Sequence, residues 1–322
     1  MTTVTPPTPP TPSTAEAPEV PADLDRTELE QRLAAAGLEP RHVLDLVAAT
    51  LDEDLSWGPD VTTESIFPAD RRGHAVVTSR DEGCLAGVEI GAIAQQLMAE
   101  RLGATARTRV LLADGTRLRP GDRVLEIEAP LRCLLTAERT MLNLMSQLSG
   151  VATATARWAD ALAGSGTRVR DTRKTVPGLR SLQKYAVRCG GGTNHRMGLG
   201  DAALIKDNHV AAAGSITAAL DAVRRAVPGI VCEVECDTLE QVREAVAAGC
   251  RLVLLDNMDP HTTAEAVALC RPAGVETEAS GGLSIRDLPE RAGLGLTYIS
   301  VGALTHSAPV LDLGLDELPQ RP

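Results

Sequence analysis

The stretch RVRDTRKTVPGLRSLQKYAVRCGGGTNHRMGLGDAALIKDNHV, residues 168–210, decides how the rest of the chain is read. It opens on a short β-like run, 168–171, and closes on another, 203–205. Each run ends in chemistry: Asp171, Thr172, Arg173 and Lys174 at the first, Lys206, Asp207, Asn208 and His209 at the second. The stretch holds every lysine of the protein, Lys174, Lys184 and Lys206, in a chain that otherwise takes its positive charge from arginine. Lysine is a compact point charge and arginine a planar fork, so lysine here marks positions where a fork does not serve. Arg170, Arg173, Arg180, Arg188, Arg196, His195 and His209 add to the charge. Two explanations stand: a solvated basic face, or a pocket for a substrate with several negative charges.

Downstream the rhythm continues. β-like runs at 230–235, 252–255, 275–278 and 298–301 alternate with helical stretches at 215–227, 239–248, 262–270 and 284–291. Such alternation predicts a parallel sheet, open or closed into a barrel. Glu235 closes the third run, Asp256 and Asn257 follow the fourth, Ser280, Gly281 and Gly282 the fifth, and Gly302 the sixth. In a parallel barrel the strand C-termini converge on one face, where the active site sits. A doubly wound sheet also gathers strand ends, at a switch point and not around a ring. Six segments ending in polar groups favour the ring.

Upstream the pattern differs. Residues 1–22, rich in Pro and Thr, predict a disordered tail. Leu29, Leu33, Leu44, Val47 and Leu51 fall at helical spacing, interrupted at 37–40, and 54–68 is turn-rich. Strands are expected at 72–80, 104–113 and 122–128, a helix at 88–102 and a hairpin turn at Asp114-Gly115. A helix at 136–148 would take Thr136 as its N-cap, pause at Gly150, and give way to a second helix running to 162. The expected organisation is therefore an N-terminal α+β domain at 23–150 and an α/β domain at 151–322. The closing residues are left free to return to the first domain.

Composition bounds the function. The chain has 322 residues, 43% hydrophobic and 23% charged, which suits a globular protein with a large core. Aromatics are 2%, too few for the stacking platforms of single-stranded nucleic-acid binding. A net charge of -11 argues against nucleic acid and anionic membrane surfaces as partners, but leaves room for a local basic pocket. No apolar run is long enough to span a membrane, and no secretory signal opens the chain. The seven cysteines include no CxxC pair, so they read as reduced thiols of a cytoplasmic protein.

Arg173 and Lys174 should project from a strand end, as a surface salt bridge or as ligands for an anion. Lys206 is open to two roles, a Schiff-base nucleophile or a fixed charge. Glu235 and Asp256 among so many cations imply ion pairs, or Mg²⁺ held with phosphate. Glycine loops on the last strands of a barrel hold phosphate through backbone N–H groups. A phosphorylated sugar beside an anionic acceptor follows from these features together.

The motifs DTRKTVPGLRSLQKYAVRCGGGTNHRMGLGDAALIKDNH, EVEC, LLDNM, EASGGL and ISVGALTHSAPVLDLGLD closely resemble the quinolinate phosphoribosyltransferase family, over residues 48–317. Val176 and Gln183 stand where that family commonly has Thr and Glu. The resemblance implies an α/β subunit, an N-terminal α+β domain followed by an incomplete parallel barrel with its site at the strand C-termini. It implies transfer of phosphoribose from phosphoribosyl pyrophosphate to quinolinate, with loss of CO₂ and a requirement for Mg²⁺, in NAD biosynthesis. By this resemblance Arg173, His195, Arg196 and Lys206 bind the dicarboxylate, with Thr172 beside them, and Lys174 contacts the pyrophosphate. Glu235 and Asp256 hold ribose and metal, and Ser280, Gly281, Gly282 and Gly302 line the 5′-phosphate pocket. It also implies a homodimer in which Arg139 of one chain completes the other's site. The alternatives are a related phosphoribosyltransferase with another anionic acceptor, or a lysine Schiff-base barrel enzyme using Lys206.

Overall fold

The computed structural model describes residues 23–318; the tail expected at 1–22 lies outside the described residues. Two apolar cores organise it. Leu29, Leu33, Val43, Val47 and Leu51 are the buried stripes of helices Arg26–Ala35 and Pro40–Leu55. Asp25 caps the first through a capping box with Glu28. Both pack on helix Val88–Arg101, which is buried on nearly every side and lies over an antiparallel sheet.

The strands of this first region are β1 (Asp23–Leu24), β2 (Arg72–Ser79), β3 (Gly83–Cys84), β4 (Arg107–Val110), β5 (Arg117–Leu118) and β6 (Arg123–Pro130). The barrel strands follow as β7 (Arg168–Arg170), β8 (Ala203–Ile205), β9 (Cys232–Cys236), β10 (Leu252–Asp256), β11 (Glu276–Ser280) and β12 (Tyr298–Ser300). The chain closes with β13 (Leu313–Glu317), which crosses back to pair with β2. The first sheet runs β1-β4-β6-β2-β13, and β3 pairs with β5 apart from it.

The second sheet is wholly parallel and runs β7-β12-β11-β10-β9-β8. The first strand pairs with the last, and each other strand with its successor, so the sheet curls into a ring. The one seam left open lies between β7 and β8, and Thr193 bridges to Arg170 beside it. Alternate residues face outward: Val169, Ile205, Val234, Val253, Leu255, Ala279 and Ile299 form the core against the outer helices. The intervening residues point into the ring, and near the C-terminal rim they are polar.

Several local expectations change. Helix Glu138–Ala161 runs unbroken through Gly150, where a pause was expected. A helix tolerates an interior glycine at about 1 kcal/mol relative to alanine. Glycine is needed here because a Cβ at 150 would overlap the carbonyl oxygen of Pro309. Thr136 does not cap this helix; it ends helix Leu131–Thr136 and its hydroxyl donates to Asp60 at 3.1 Å. The turn-rich segment 54–68 contains helix Val61–Ile66, capped by Asp60. The expected helix at 284–291 is a 3₁₀ turn, Ile285–Glu290, because Pro289 removes a donor within it.

Asp114-Gly115 is no hairpin, since β4 pairs with β6 and β5 with β3. The Asp114 carboxylate instead accepts from the N–H groups of Gly87 (2.6 Å) and Val88 (3.1 Å), at the start of helix Val88–Arg101, and from the Tyr185 hydroxyl (2.7 Å). Its neighbour Glu89 is pushed up to about 7 by burial and by the Asp114 charge. A raised carboxyl binds its proton more tightly in the folded state. Its contribution is therefore full below the ordinary value of 4.5 and is lost as pH rises through 7. Glu89→Gln is expected to flatten the fall in stability between pH 4.5 and 7 and to raise Tm at pH 8. Thermal melts across that range check it, and a slope equal to that of the unmodified protein would refute it.

Candidate functional site

The C-terminal rim of the ring encloses a cavity of about 420 Å³. Its wall includes Thr172, Arg173, Lys174, His195, Arg196 and Lys206, the cationic group of the organising stretch. Glu235, Asp256, Ser280 and Ser300, from the ends of four successive strands, continue the wall. Leu204, Leu254 and Glu278 complete it. The basic residues thus form a pocket and not a solvated face.

Helix Arg180–Cys189 fixes the cationic loops. Lys184 and Asp171 are both 0% exposed and pair at 2.5 Å. The Lys184 ammonium also donates to the His195 carbonyl at 2.9 Å, and Asp171 accepts from the His195 N–H and the Asn194 amide. Burial pushes Lys184 below its ordinary value, with Asp171 opposing that shift. Next to Lys184, Gln183 accepts from Val176 N–H and donates to the Thr305 carbonyl, while Arg180, one turn back, reaches the carbonyls of Arg173 and Met197. The segments 171–176 and 193–197 are therefore both tied to one helix.

Burial, and then the neighbouring Arg173 guanidinium, hold Arg196 below its usual range. Two cations that repel one another gain from an anion placed between them. Lys206 is ion-paired with Glu235, which keeps its ammonium occupied and is no arrangement for a Schiff-base nucleophile. The Asp256 carboxylate accepts from Asn257 at 2.7 Å. Asn257 itself holds a left-handed backbone at φ 53° and crowds against Gly281, where φ is 107° and a Cβ would overlap the Asn257 amide. Only glycine serves there.

Both ring nitrogens of His195 are committed. Nδ1 accepts the Arg196 N–H at 2.7 Å, so Nε2 carries the proton and donates to Glu233 at 2.9 Å. In this geometry His195 offers no free N–H to an anion, contrary to its expected role as a direct carboxylate ligand. It orients Arg196 through the backbone. His195, Glu233 and Glu278 bring one ligand atom each within 4.8 Å, a spacing that suits a metal. A metal would need the Nε2 lone pair, and the Arg196 N–H on Nδ1 leaves that pair protonated. Glu235 and Asp256, on adjacent strands, are the better donor set: hard carboxylates open to the cavity.

Arg139 is not part of this cavity. It lies on helix Glu138–Ala161, is 66% exposed, and pairs with Glu138. Gly282 and Gly302 flank the cavity without lining it, and a Cβ at 302 would press on the Lys174 stem at 3.0 Å. Glu233, Glu278 and Ser300 were missed as site residues by sequence reasoning. A parity signal was present: Glu233 lies two residues from Glu235 on β9, and Glu278 two from Ser280 on β11, on the same inward face.

Comparison with known proteins places the chain among relatives of one family. Residues 60–149 match the family model "Quinolinate phosphoribosyl transferase, N-terminal domain", and residues 151–316 the model of its C-terminal domain. The chain is 49% identical over 275 residues to the nicotinate-nucleotide pyrophosphorylase [carboxylating] of Mycobacterium leprae, covering 84% of this chain and 96% of the relative. It is 37% identical to the human protein of that name, covering 86% of this chain and 92% of the other. The solved nicotinate-nucleotide pyrophosphorylase of Francisella tularensis superposes with a TM-score of 0.82 at 36% identity, covering 86% and 96% of the two chains.

Proposed function

The chain belongs to the quinolinate phosphoribosyltransferase family, and we infer that it joins quinolinate to phosphoribosyl pyrophosphate, releasing pyrophosphate and CO₂ and leaving nicotinate mononucleotide, a step of NAD biosynthesis. One observation carries the reading. Arg173, Arg196 and Lys206, three cations from separate loops, line one cavity together with Asp256 and with Glu235, the ion-pair partner of Lys206. A pyridine with two adjacent carboxylates matches the cationic wall, and an activated sugar matches the acidic one.

The pyridine nitrogen forms a bond to C1′ as the C1′–O bond to pyrophosphate breaks, its electron pair leaving with pyrophosphate. Positive charge develops on the ribose, as in glycosyl transfer generally. Glu235 and Asp256 lie where that charge forms, and Lys174 lies where the pyrophosphate departs. Holding two reactants in line supplies roughly 7–11 kcal/mol of barrier reduction. Ser280 lines the cavity, and Gly281, Gly282 and Gly302, which flank it, would offer backbone N–H groups to the 5′-phosphate. Glu235 and Asp256 would hold Mg²⁺, which, when bound, neutralises the departing phosphate oxygens. N-ribosylation leaves a pyridinium; the C2–carboxylate bond then breaks, its electron pair stays on C2 beside the cationic nitrogen as CO₂ leaves, and that pair takes a proton from solvent to give nicotinate mononucleotide. No side chain need act as a strong base.

A homodimer would account for Arg139. Val61 (68% exposed) and Ile66 (63%) lie on the helix that packs against Leu131–Thr136, just before Arg139, and Leu135 is itself exposed. Met197 and Leu199, beyond Arg196, expose apolar surface in turn. These two apolar patches are the surfaces proposed to meet in that homodimer.

The experiment is direct. The purified protein is expected to form nicotinate mononucleotide and CO₂ from quinolinate and phosphoribosyl pyrophosphate with Mg²⁺, and to stop when the metal is chelated. Nicotinate should fail as acceptor, since one carboxylate leaves part of the cationic wall unpaired. Turnover of nicotinate but not quinolinate would sink the proposal.

A further inference from the structure

Beneath the cationic wall lies a charge that binding alone does not explain. Glu278 is 0% exposed and yet forms part of the cavity wall. Its Oε2 accepts from Arg170 at 2.5 Å, and Arg170 in turn lies 4.2 Å over the Tyr298 ring. Its Oε1 has no hydrogen-bond partner. Glu233, 3% exposed, is beside it, with Oε2 taken by His195 and Oε1 likewise without a partner. Two carboxylates thus lie under the cavity beside the Arg170 guanidinium and the His195 imidazole, whose Nε2 is 3.7 Å from Glu278 Oε1, and each keeps one oxygen without a hydrogen bond.

Such a floor opposes the binding of a dianion. Buried polar atoms without partners are costly, and this pair is placed where an anion-binding wall would gain from its removal. The cost is repaid only by a species more positive than the substrate. The reaction makes one: the neutral pyridine becomes a pyridinium as its nitrogen lone pair goes to C1′ and the pyrophosphate carries off the C1′–O pair. Interactions stronger in the transition state than in the ground state are those that accelerate a step.

We propose that Glu278, supported by Glu233 and held by Arg170, is the counter-charge of the forming pyridinium, repelling bound quinolinate and stabilising the ring as it becomes cationic. The inference rests on the quinolinate reading above. It differs from the roles of Glu235 and Asp256, which serve the sugar. Burial and the Glu233 charge also push the Glu278 carboxyl up from its ordinary value, and a positive ring above it works in the opposite direction.

Glu278→Gln tests it, because the amide keeps the shape and removes the charge. Two probes are titrated onto the purified protein: quinolinate, with a neutral ring, and nicotinate mononucleotide, with a cationic one. Quinolinate is expected to bind as tightly as before, or up to about 10-fold tighter. Nicotinate mononucleotide should bind about 10- to 100-fold more weakly, and pyrophosphate release in a single turnover should slow about 100-fold. Glu278→Asp should recover part of that rate despite its shorter stem. Should Glu278→Gln not fold, Glu233→Gln is read in its place, with the same opposite-sign shifts and a smaller size. Parallel loss of both affinities in a folded variant would mean a structural role and overturn the proposal, as would an unchanged rate. An unmodified chain that makes no nicotinate mononucleotide overturns the function itself, whereas an active parent with no split in the variant overturns this inference alone.

Discussion

Lys184→Met is expected to cost about 3–5 kcal/mol of stability, the range for breaking one side of a buried ion pair. That corresponds to a fall in Tm of roughly 6–20 °C. Lys184 and Asp171 have no access to water, so the stranded Asp171 carboxylate cannot recover by hydration. Methionine preserves the stem and the packing, which isolates the charge. The same ammonium holds the His195 carbonyl, so the segment carrying His195 and Arg196 also loosens. A decrease in kcat/KM of at least about 100-fold should accompany the stability change, since an ångström of misplacement costs that much. Denaturant unfolding and steady-state kinetics check both. Adding Asp171→Leu should restore part of the lost stability, because the two changes act on one contact. A Lys184→Met protein within 1 kcal/mol of the parent would show that the pair does not hold the loops.

The second large effect is on activity. Lys206→Ala removes the ammonium that Glu235 holds at the cavity wall, and Arg139→Ala removes a cation that its own chain leaves in solvent. Each variant alone is expected to lose at least about 100-fold in kcat/KM. Under the proposed shared dimer, mixing them after subunit exchange rebuilds one intact site in each mixed dimer. With random pairing, half the dimers are mixed and half their sites work, so about a quarter of the parental activity returns. Equal mixtures assayed after verified exchange make the measurement. No recovery would place Arg139 outside the partner's site and leave its exposure as an ordinary helix-surface charge.

The ring was legible because its chemistry sits at strand ends, and strand ends are marked by a change from apolar to polar residues. Lys206, Glu235, Asp256 and Ser280 could be named on that signal alone. What lies one layer deeper was not. Asp171 reads as one more polar residue after a strand, and Lys184 as one more lysine on a helix. Their pairing across 13 positions depends on how helix Arg180–Cys189 lies against the strand end, which no local pattern states. Glu233 and Glu278 share the inward parity of residues that were identified, yet a glutamate two positions below a rim reads as a mid-strand oddity until the ring closes over it. In the first region, Asp114-Gly115 has the composition of a turn, and only the tertiary fold reveals that its carboxylate caps a distant helix. Gly150 misled for a related reason: the glycine accommodates the chain passing at Pro309, a neighbour 159 positions away that cannot be seen locally.

Helix Glu138–Ala161 has a practical consequence for dividing the gene. Its earlier turns belong to one core and Trp158 to the other, so the border between the two family matches, 149 and 151, falls inside a single rod. Fragments separated there would each expose a severed helix and an unroofed apolar face, and the front fragment would also lack β13 from its sheet. Hybrids with relatives should exchange the strand-end loops and leave that rod, with the closing ribbon, from a single parent.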